Sequence, residues 1–171
     1  MATGSLRRQA QLAAARPDLR FVGLRGNMAT RIAKAADHDA VVVAATALDR
    51  LGVADLIAER LPTDLVLPQV AQAALAVECR ADDNALLDLL RSIENADARR
   101  CVDAERAFLA ELGGDCSLPA AAYATIADGV LSIEGRLAAV DGTTVLRHVG
   151  TDGAVVARHL LDHGGHELLH R

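Results

Sequence analysis

Apolar and polar positions follow two different rhythms along this chain, and the change falls after residue 113. In the first stretch the spacing is helical, interrupted by short apolar runs. Leu6-Arg7-Arg8-Gln9-Ala10-Gln11-Leu12-Ala13-Ala14-Ala15 reads as a helix with Ser5 as its N-cap, stopped before Pro17. Residues 19–24 read as a short strand, Arg25-Gly26-Asn27 as a turn, and 28–36 as a second helix. Residues 39–44 are a near-continuous β-branched run, the pattern of a strand covered on both faces in a parallel sheet. Helical segments follow at 46–51 and 53–60. This order predicts a partial doubly wound α/β unit. Because the unit opens on a helix, the strand that should precede that helix is expected to be missing. The chain then looks cut at its N-terminus, with two strands where parallel sheets need more.

Pro62 and Pro68 bracket a linker, and the Ala/Val-rich stretch 69–78 fits strand or helix equally well. Two helices are predicted at 83–93 and 96–112, the second with Val102, Ala104, Phe108, Leu109 and Leu112 near a 3.6 period. After Gly113-Gly114-Asp115-Cys116-Ser117-Leu118-Pro119 the period becomes two. Strands are expected at 120–126, 130–139 and 143–149, separated by the hairpin signals Asp128-Gly129 and Asp141-Gly142. A helix at 154–161 closes a small α+β C-terminal domain. No internal repeat or low-complexity tract is present.

Composition narrows the classes. The 171 residues are 51% hydrophobic and 24% charged, which is globular, and only 2% aromatic, so Ala, Leu, Val and Ile must build the core. The net charge of −5 is uneven: residues 1–60 hold nine Lys/Arg against six Asp/Glu, and the remainder nine against seventeen. A basic N-terminal part on an acidic protein points to a local anion site and away from a nucleic-acid surface. The scarcity of aromatics removes the stacking platform that single-stranded nucleic acids use. Three cysteines, Cys79, Cys101 and Cys116, without CxxC spacing fit a reducing cytoplasm and neither a disulfide framework nor a zinc ribbon. The longest apolar run, residues 40–48, is about half of what a membrane span needs. His159/His163 and His166/His170 have i,i+4 spacing, but Gly164-Gly165 separates the pairs; adventitious zinc or nickel is conceivable, and no functional metal is expected.

The candidate chemistry lies in a loop thiol and clustered guanidiniums. Cys116 in a Gly-rich loop, with Arg7, Arg8 and Arg25 upstream, points to a covalently held polyanionic group. By its own context Cys116 reads equally as a small buried apolar residue. Cys79 and Cys101 lie in strand or helix patterns and read as core. Arg7 and Arg8 occupy a helix first turn, where free N–H groups favour anions, and the arginine fork binds carboxylates bidentately. Arg25 follows a strand, at the usual ligand edge of such sheets. Arg16, Arg20 and Arg60 read as solvated surface.

Four stretches carry a family resemblance: Thr3-Gly4-Ser5-Leu6-Arg7-Arg8-Gln9; Leu24-Arg25-Gly26-Asn27 with Thr30-Arg31; Glu78-Cys79-Arg80; and Glu105-Arg106-Ala107 followed by the loop ending at Cys116. In this order they resemble the porphobilinogen deaminase (hydroxymethylbilane synthase) family over essentially the whole chain. The resemblance implies an incomplete periplasmic-binding-protein-like second domain at 1–73. It implies a crossover segment at 74–93 belonging to the absent first domain, and a C-terminal domain at 94–171 carrying the cofactor cysteine. It further implies a cytoplasmic transferase of porphyrin and heme biosynthesis that condenses four porphobilinogen units into hydroxymethylbilane, releasing ammonia. The product grows on a dipyrromethane cofactor joined by a thioether to Cys116, whose thiol adds to the azafulvene left when porphobilinogen loses its amine. Cofactor contacts would fall to Thr3, Ser5, Arg7, Arg8, Arg25 and Gln72, and substrate contacts to Arg25, Asn27, Arg31 and Arg50.

The family's catalytic aspartate has no matching position, so no residue takes the acid/base role and little turnover is expected from this chain alone. The expected partners are porphobilinogen and the growing oligopyrrole, with a separate N-terminal fragment or else a monomer, and neither nucleic acid nor membrane. Alternatives are a non-catalytic anion-binding remnant and a truncated gene product. Ala47, Ala71, Ala73 and Ala76 replace family glycines, and Gly4 a serine; alanine resists positive φ, so a loosened cofactor site is expected.

Overall fold

A computed structural model describes residues 1–114 and 118–169 of the chain. The strand expected to be missing is present. β1 (Ala2–Thr3) precedes α1 (Leu6–Ala15), runs parallel to β2 (Val22–Gly23) on one side and bridges Val41 on the other. Val22 N–H donates to the Met1 carbonyl at 3.0 Å and Leu24 N–H to Thr3 at 3.2 Å; Ala2 N–H donates to Ala40 at 2.8 Å and Val42 N–H to Ala2 at 2.9 Å. Ala-Thr is too short to show a period, which is why the pattern hides it. A two-residue central strand also explains why the flanking strands expected at 19–24 and 39–44 shrink to Val22–Gly23 and a single bridge. They have nothing further to pair with.

Ser5 caps α1, its Oγ accepting from Arg8 N–H at 3.4 Å. Asn27 likewise caps α2 (Met28–Ala33), which runs on into a 3-10 turn at Lys34–Asp37. α3 (Ala45–Arg50) ends at Gly52 in the left-handed region. The helix expected at 53–60 is only a 3-10 turn, Ala54–Leu56, with Leu56 exposed. Without an apolar face to bury, so short a segment cannot offset the cost of nucleating a helix.

The C-terminal unit follows its pattern closely. α5 (Ala96–Glu111) is capped by Asn95 and leads into an antiparallel sheet of β3 (Ala120–Ala127), β4 (Val130–Ala138) and β5 (Val145–Gly150), with β4 central. Asp128 (φ +51°) and Gly129 (φ +76°) form the two-residue mirror-image turn that matches the twist of a hairpin. α6 (Gly153–Leu160), capped by Asp152, lies with α5 on one face of the sheet. A side chain at Gly153 would run into the Ala104 carbonyl, so glycine sets the close approach of the two helices. Phe108, Ile133, Leu137, Val156 and Leu160 form the core. Beyond α6 a π turn (Leu161–Gly165) leaves helical geometry at His163 and Gly164 before α7 (His166–Leu169).

The other face of β4 meets the N-terminal unit. Arg136, 8% exposed, donates to the Asp64 carbonyl at 2.7 Å, the Leu65 carbonyl at 3.2 Å, Gln11 Oε1 at 3.2 Å and Glu134 Oε1 at 2.7 Å. Gln11 in turn exchanges hydrogen bonds with Leu67, through Leu67 N–H at 2.9 Å and the Leu67 carbonyl at 3.3 Å. Between the units, 69–78 forms turns and irregular chain, neither strand nor helix. Cys79, expected in the core, is half-exposed there, since no element covers it; Cys101 is half-buried and packs against the C-terminal core. α4 (Asn84–Arg91) buries none of its residues, and Leu75, Val77, Leu86, Leu89 and Ile93 are exposed. Among the described residues no helix is long and apolar enough to cross a membrane.

Candidate functional site

Chain segments leaving β1, β2 and the Val41 bridge emerge at one edge of the small sheet; Thr3, Ser5, Arg7, Arg8, Arg25, Asn27 and Arg31 lie on or just after the first two, while Arg50 ends α3 and Gln72 sits in the turn after Gln69. Thr3 is buried and its Oγ1 accepts from Ser5 N–H at 3.3 Å, fixing the entry into α1. A side chain at Gly4 would run into the Leu24 carbonyl, so this backbone excludes the serine of the family pattern. Arg7 is 4% exposed, with Nε donating to Gln69 Oε1 at 3.1 Å and Nη1 to the Leu67 carbonyl at 2.8 Å. Burial, with the charge of Arg8 second, lowers its pKa to about 10. Arg8 is half-buried, donates from Nη1 to the Val42 carbonyl at 3.3 Å, and is lowered by burial and then by the charge of Arg31.

Arg7, Arg8 and Gln72 line a cavity of about 460 Å³ whose wall is otherwise mostly apolar, from Val41, Val42, Val43 and Leu48. Asp39, Glu59 and Arg60, the last paired with Asp49, also reach it. Gln72 accepts from Gln69 N–H at 3.4 Å. Arg31 donates from Nε to the Gly26 carbonyl at 2.8 Å, and Arg50 from Nη2 to the Ala73 carbonyl at 3.1 Å. Arg25 is exposed on the loop after β2. Asn27 spends its Oδ1 on capping α2, accepting from Thr30 N–H and Oγ1, both at 2.9 Å. The structure thus gathers Arg7, Arg8 and Gln72 at the cavity, with Arg31 close enough to Arg8 to repel it.

One electrostatic contrast separates these arginines from most others. Arg16, Arg60, Arg80, Arg91, Arg99, Arg100, Arg136, Arg147 and Arg158 each have a carboxylate within 4.0 Å. Among the described residues, Arg7, Arg8, Arg25, Arg31 and Arg50 have none, and neither do Arg20 and Arg106, which lie away from the cavity. Although the protein carries a net charge of −5 and Asp39 and Glu59 reach the cavity, none of the described carboxylates pairs with these arginines. Unneutralised guanidiniums, with Arg7 and Arg8 lowered by burial and by neighbouring positive charge, favour an incoming anion.

Cys116 lies outside the described residues. Its flanks do not: α5 ends at Glu111, Gly113 follows with φ +64°, and β3 begins at Ala120. Of the alanines at family glycine positions, Ala71 (φ +57°) and Ala73 (φ +73°) are left-handed, whereas Ala47 sits inside α3 and Ala76 shows no positive φ. The expected conflict is therefore real at two positions. Sequence reading missed Gln69 and Glu105, although the Glu-Arg-Ala run and the glycine replacements pointed at the right segments. No group of three metal-ligating side chains occurs among the described residues. His159 stacks between His148 and His163, with ring centroids 3.7 and 4.0 Å apart, face to face and not around a common point. His170 lies outside the described residues.

Fold and site together define an α/β unit with an arginine-lined cavity, joined to an α+β module through a buried arginine. Residues 1–88 match the family model described as porphobilinogen deaminase, dipyromethane cofactor binding domain, and residues 99–159 match the porphobilinogen deaminase C-terminal domain. The chain belongs to the porphobilinogen deaminase family. It is 49% identical to the porphobilinogen deaminase of Sphingopyxis alaskensis over 99% of its length and 53% of that protein's. It is 41% identical to that of Geobacter metallireducens over 98% of this chain and 56% of the relative, and 46% identical to that of Trichlorobacter lovleyi over 85% and 47%. The chain spans about half the length of the curated relatives it matches.

Proposed function

We propose that this polypeptide acts in tetrapyrrole biosynthesis as a porphobilinogen deaminase-type transferase, holding acetate- and propionate-bearing pyrroles while they are joined. The observation that carries this reading is that Arg7 and Arg8, which line the cavity, have no carboxylate partner among the described residues, with the charge of Arg31 close beside Arg8. Each pyrrole of such a chain brings two carboxylates, and hydrogen bonds to charged groups contribute about 1.5–3 kcal/mol each. Arg7 and Arg8 are assigned to the cofactor's carboxylates, with Thr3, Ser5, Arg25 and Gln72 around them. Arg25, Asn27, Arg31 and Arg50 are assigned to substrate; Asn27 serves through its backbone setting, since its side chain caps α2.

A dipyrromethane, when bound, supplies the tether on which the pyrrole chain is built, and we assign its thioether anchor to Cys116. The residues present fit such a group: guanidiniums lacking an internal counter-charge beside an apolar wall suit a molecule with carboxylate arms on an apolar ring. The sheet-edge backbone and the Gln69–Leu67 contacts orient the Arg7 fork, and burial among apolar side chains keeps water from competing for it. No described residue is assigned proton transfer, so residues 1–171 by themselves are expected to bind and to turn over little. The exposed apolar side chains of Leu75, Val77, Leu86, Leu89 and Ile93 support assigning 74–93 as a crossover that packs on the portion of the family fold this chain does not span.

The test is intact-protein mass spectrometry after incubation with porphobilinogen. The expected result is a dipyrromethane-sized gain that maps to the peptide containing Cys116 and is absent from Cys116→Ser. A folded protein that binds porphobilinogen without the gain would support a non-catalytic anion-binding role. Neither binding nor gain would overturn the proposal.

A further inference from the structure

Glu105 is a buried carboxylate that the reading above does not use. It is 6% exposed on α5, and no Lys or Arg pairs with it among the described residues. Its two oxygens each accept from one backbone amide: Oε2 from Ala71 N–H at 2.6 Å and Oε1 from Ala124 N–H at 2.8 Å. The first amide belongs to the turn beside the cavity, the second to β3. α5 and β3 are the elements that flank the cysteine loop.

The turn that Glu105 grips is strained. Ala71 and Ala73 are both left-handed, a conformation that costs an L-residue about 1–2 kcal/mol and persists only where its surroundings enforce it. On the other side the Ala73 carbonyl is held by Arg50, and within the turn Gln69 and Gln72 bond to each other. Gln69 is also the partner of Arg7 Nε. A continuous path therefore runs from α5 through Glu105, Ala71 and Gln69 to the buried guanidinium. Only a carboxylate fits the junction: it offers two acceptors and no donor to two N–H groups that approach from different elements. Burial raises the Glu105 pKa while the two amides oppose the shift. A carboxyl group buried there is a poor stability device, because an apolar residue would fill the core at lower cost.

We infer that Glu105 is a positioning residue, which holds the strained 69–73 turn so that Gln69 presents the Arg7 guanidinium to the cavity and ties that cavity to the flanks of the cysteine loop. This rests on the proposed role of Arg7, but its consequences can be read without any ligand. In the full chain, Glu105→Gln must lose one of the two bonds, since an amide offers a donor where an acceptor is needed. Amide exchange over 69–73 should rise by tenfold or more. Modification of Arg7 by phenylglyoxal, mapped by mass spectrometry, should rise several-fold. Arg136, equally buried but held by Asp64 and Leu65, should stay protected. Replacing Ala71 with Gly removes strain and keeps the amide, so Glu105→Gln should have a smaller effect on exchange in an Ala71→Gly background. That double variant also serves if Glu105→Gln alone fails to fold.

Unchanged exchange and unchanged Arg7 reactivity in Glu105→Gln would overturn the inference. So would Arg7 and Arg136 becoming reactive together, which signals general unfolding. Failure of porphobilinogen to bind the unmodified chain, with these ligand-free results intact, would instead count against the function proposed above.

Discussion

The two units of this molecule are held together by opposite kinds of interaction. In the C-terminal unit, α5 and α6 press Phe108, Val156 and Leu160 onto Ile133 and Leu137, and an eight-residue strand pairs along its full length with β4. In the N-terminal unit the central strand is two residues long, and the buried set includes Thr3, Arg7 and Gln11. Side chains there bond to backbone carbonyls at Leu67, Val42 and Ala73 in place of a continuous ladder. The first unit derives its stability from apolar burial. The second uses buried polar groups that are costly unless satisfied, and leaves several guanidinium donors for something outside the chain. A region that gives up packing to keep unneutralised charge at a cavity is where a ligand should act.

The contrast can be broken first at Phe108. Phe108→Ala leaves a cavity under both helices and should cost about 3–5 kcal/mol, read as a lower midpoint in urea unfolding followed by circular dichroism. A loss below about 1 kcal/mol would mean the core is not the source of that unit's stability. Arg136→Met comes next. It strands the Asp64 and Leu65 carbonyls, so about 1–3 kcal/mol should be lost and amide exchange at 64–67 should quicken. Ala71→Gly and Ala73→Gly run the other way. Each should raise stability by up to about 1 kcal/mol by relieving a left-handed alanine, whereas Ala47→Gly, inside α3, should lower it by about the same amount.

The smallest effect is electrostatic. His159 is lowered, first by burial and then by His148 on β5 and His163 in the π turn, with Asp162 opposing. The folded state therefore takes up this proton less readily than the unfolded chain. Stability is intact above the ordinary histidine value of about 6.5 and falls as pH drops through it toward the lower folded pKa. Thermal melts between pH 7.5 and 5 should show the fall, and His159→Gln should flatten it.

Much of this was legible in the sequence. Ser5 and the long period of α5 announced two helices, and Asp128-Gly129 announced its hairpin because only that turn accepts two positive φ values in a row. The arginine run before Gln9 pointed to the cavity. What stayed hidden was short or tertiary. Ala2–Thr3 is a strand only because Val22 and Val41 lie on either side of it. The helix expected at 53–60 had the right composition and nothing to pack against. The burial of Arg7 depends on Leu67 and Gln69, sixty residues away, and no local pattern records such a partner. The replacements at Ala71 and Ala73 showed where glycine was wanted, but not that Glu105 grips the turn.

The central claim is that arginines without carboxylate partners form the binding site, and calorimetric titration of porphobilinogen into the full chain tests it most directly. Arg8→Met and Arg31→Met should each weaken binding at least tenfold, with the loss shrinking as salt is raised, while Arg16→Met, which breaks only the surface pair with Asp18 away from the cavity, should leave the affinity unchanged. Equal affinities across all three variants, or a loss confined to Arg16→Met, would contradict the account.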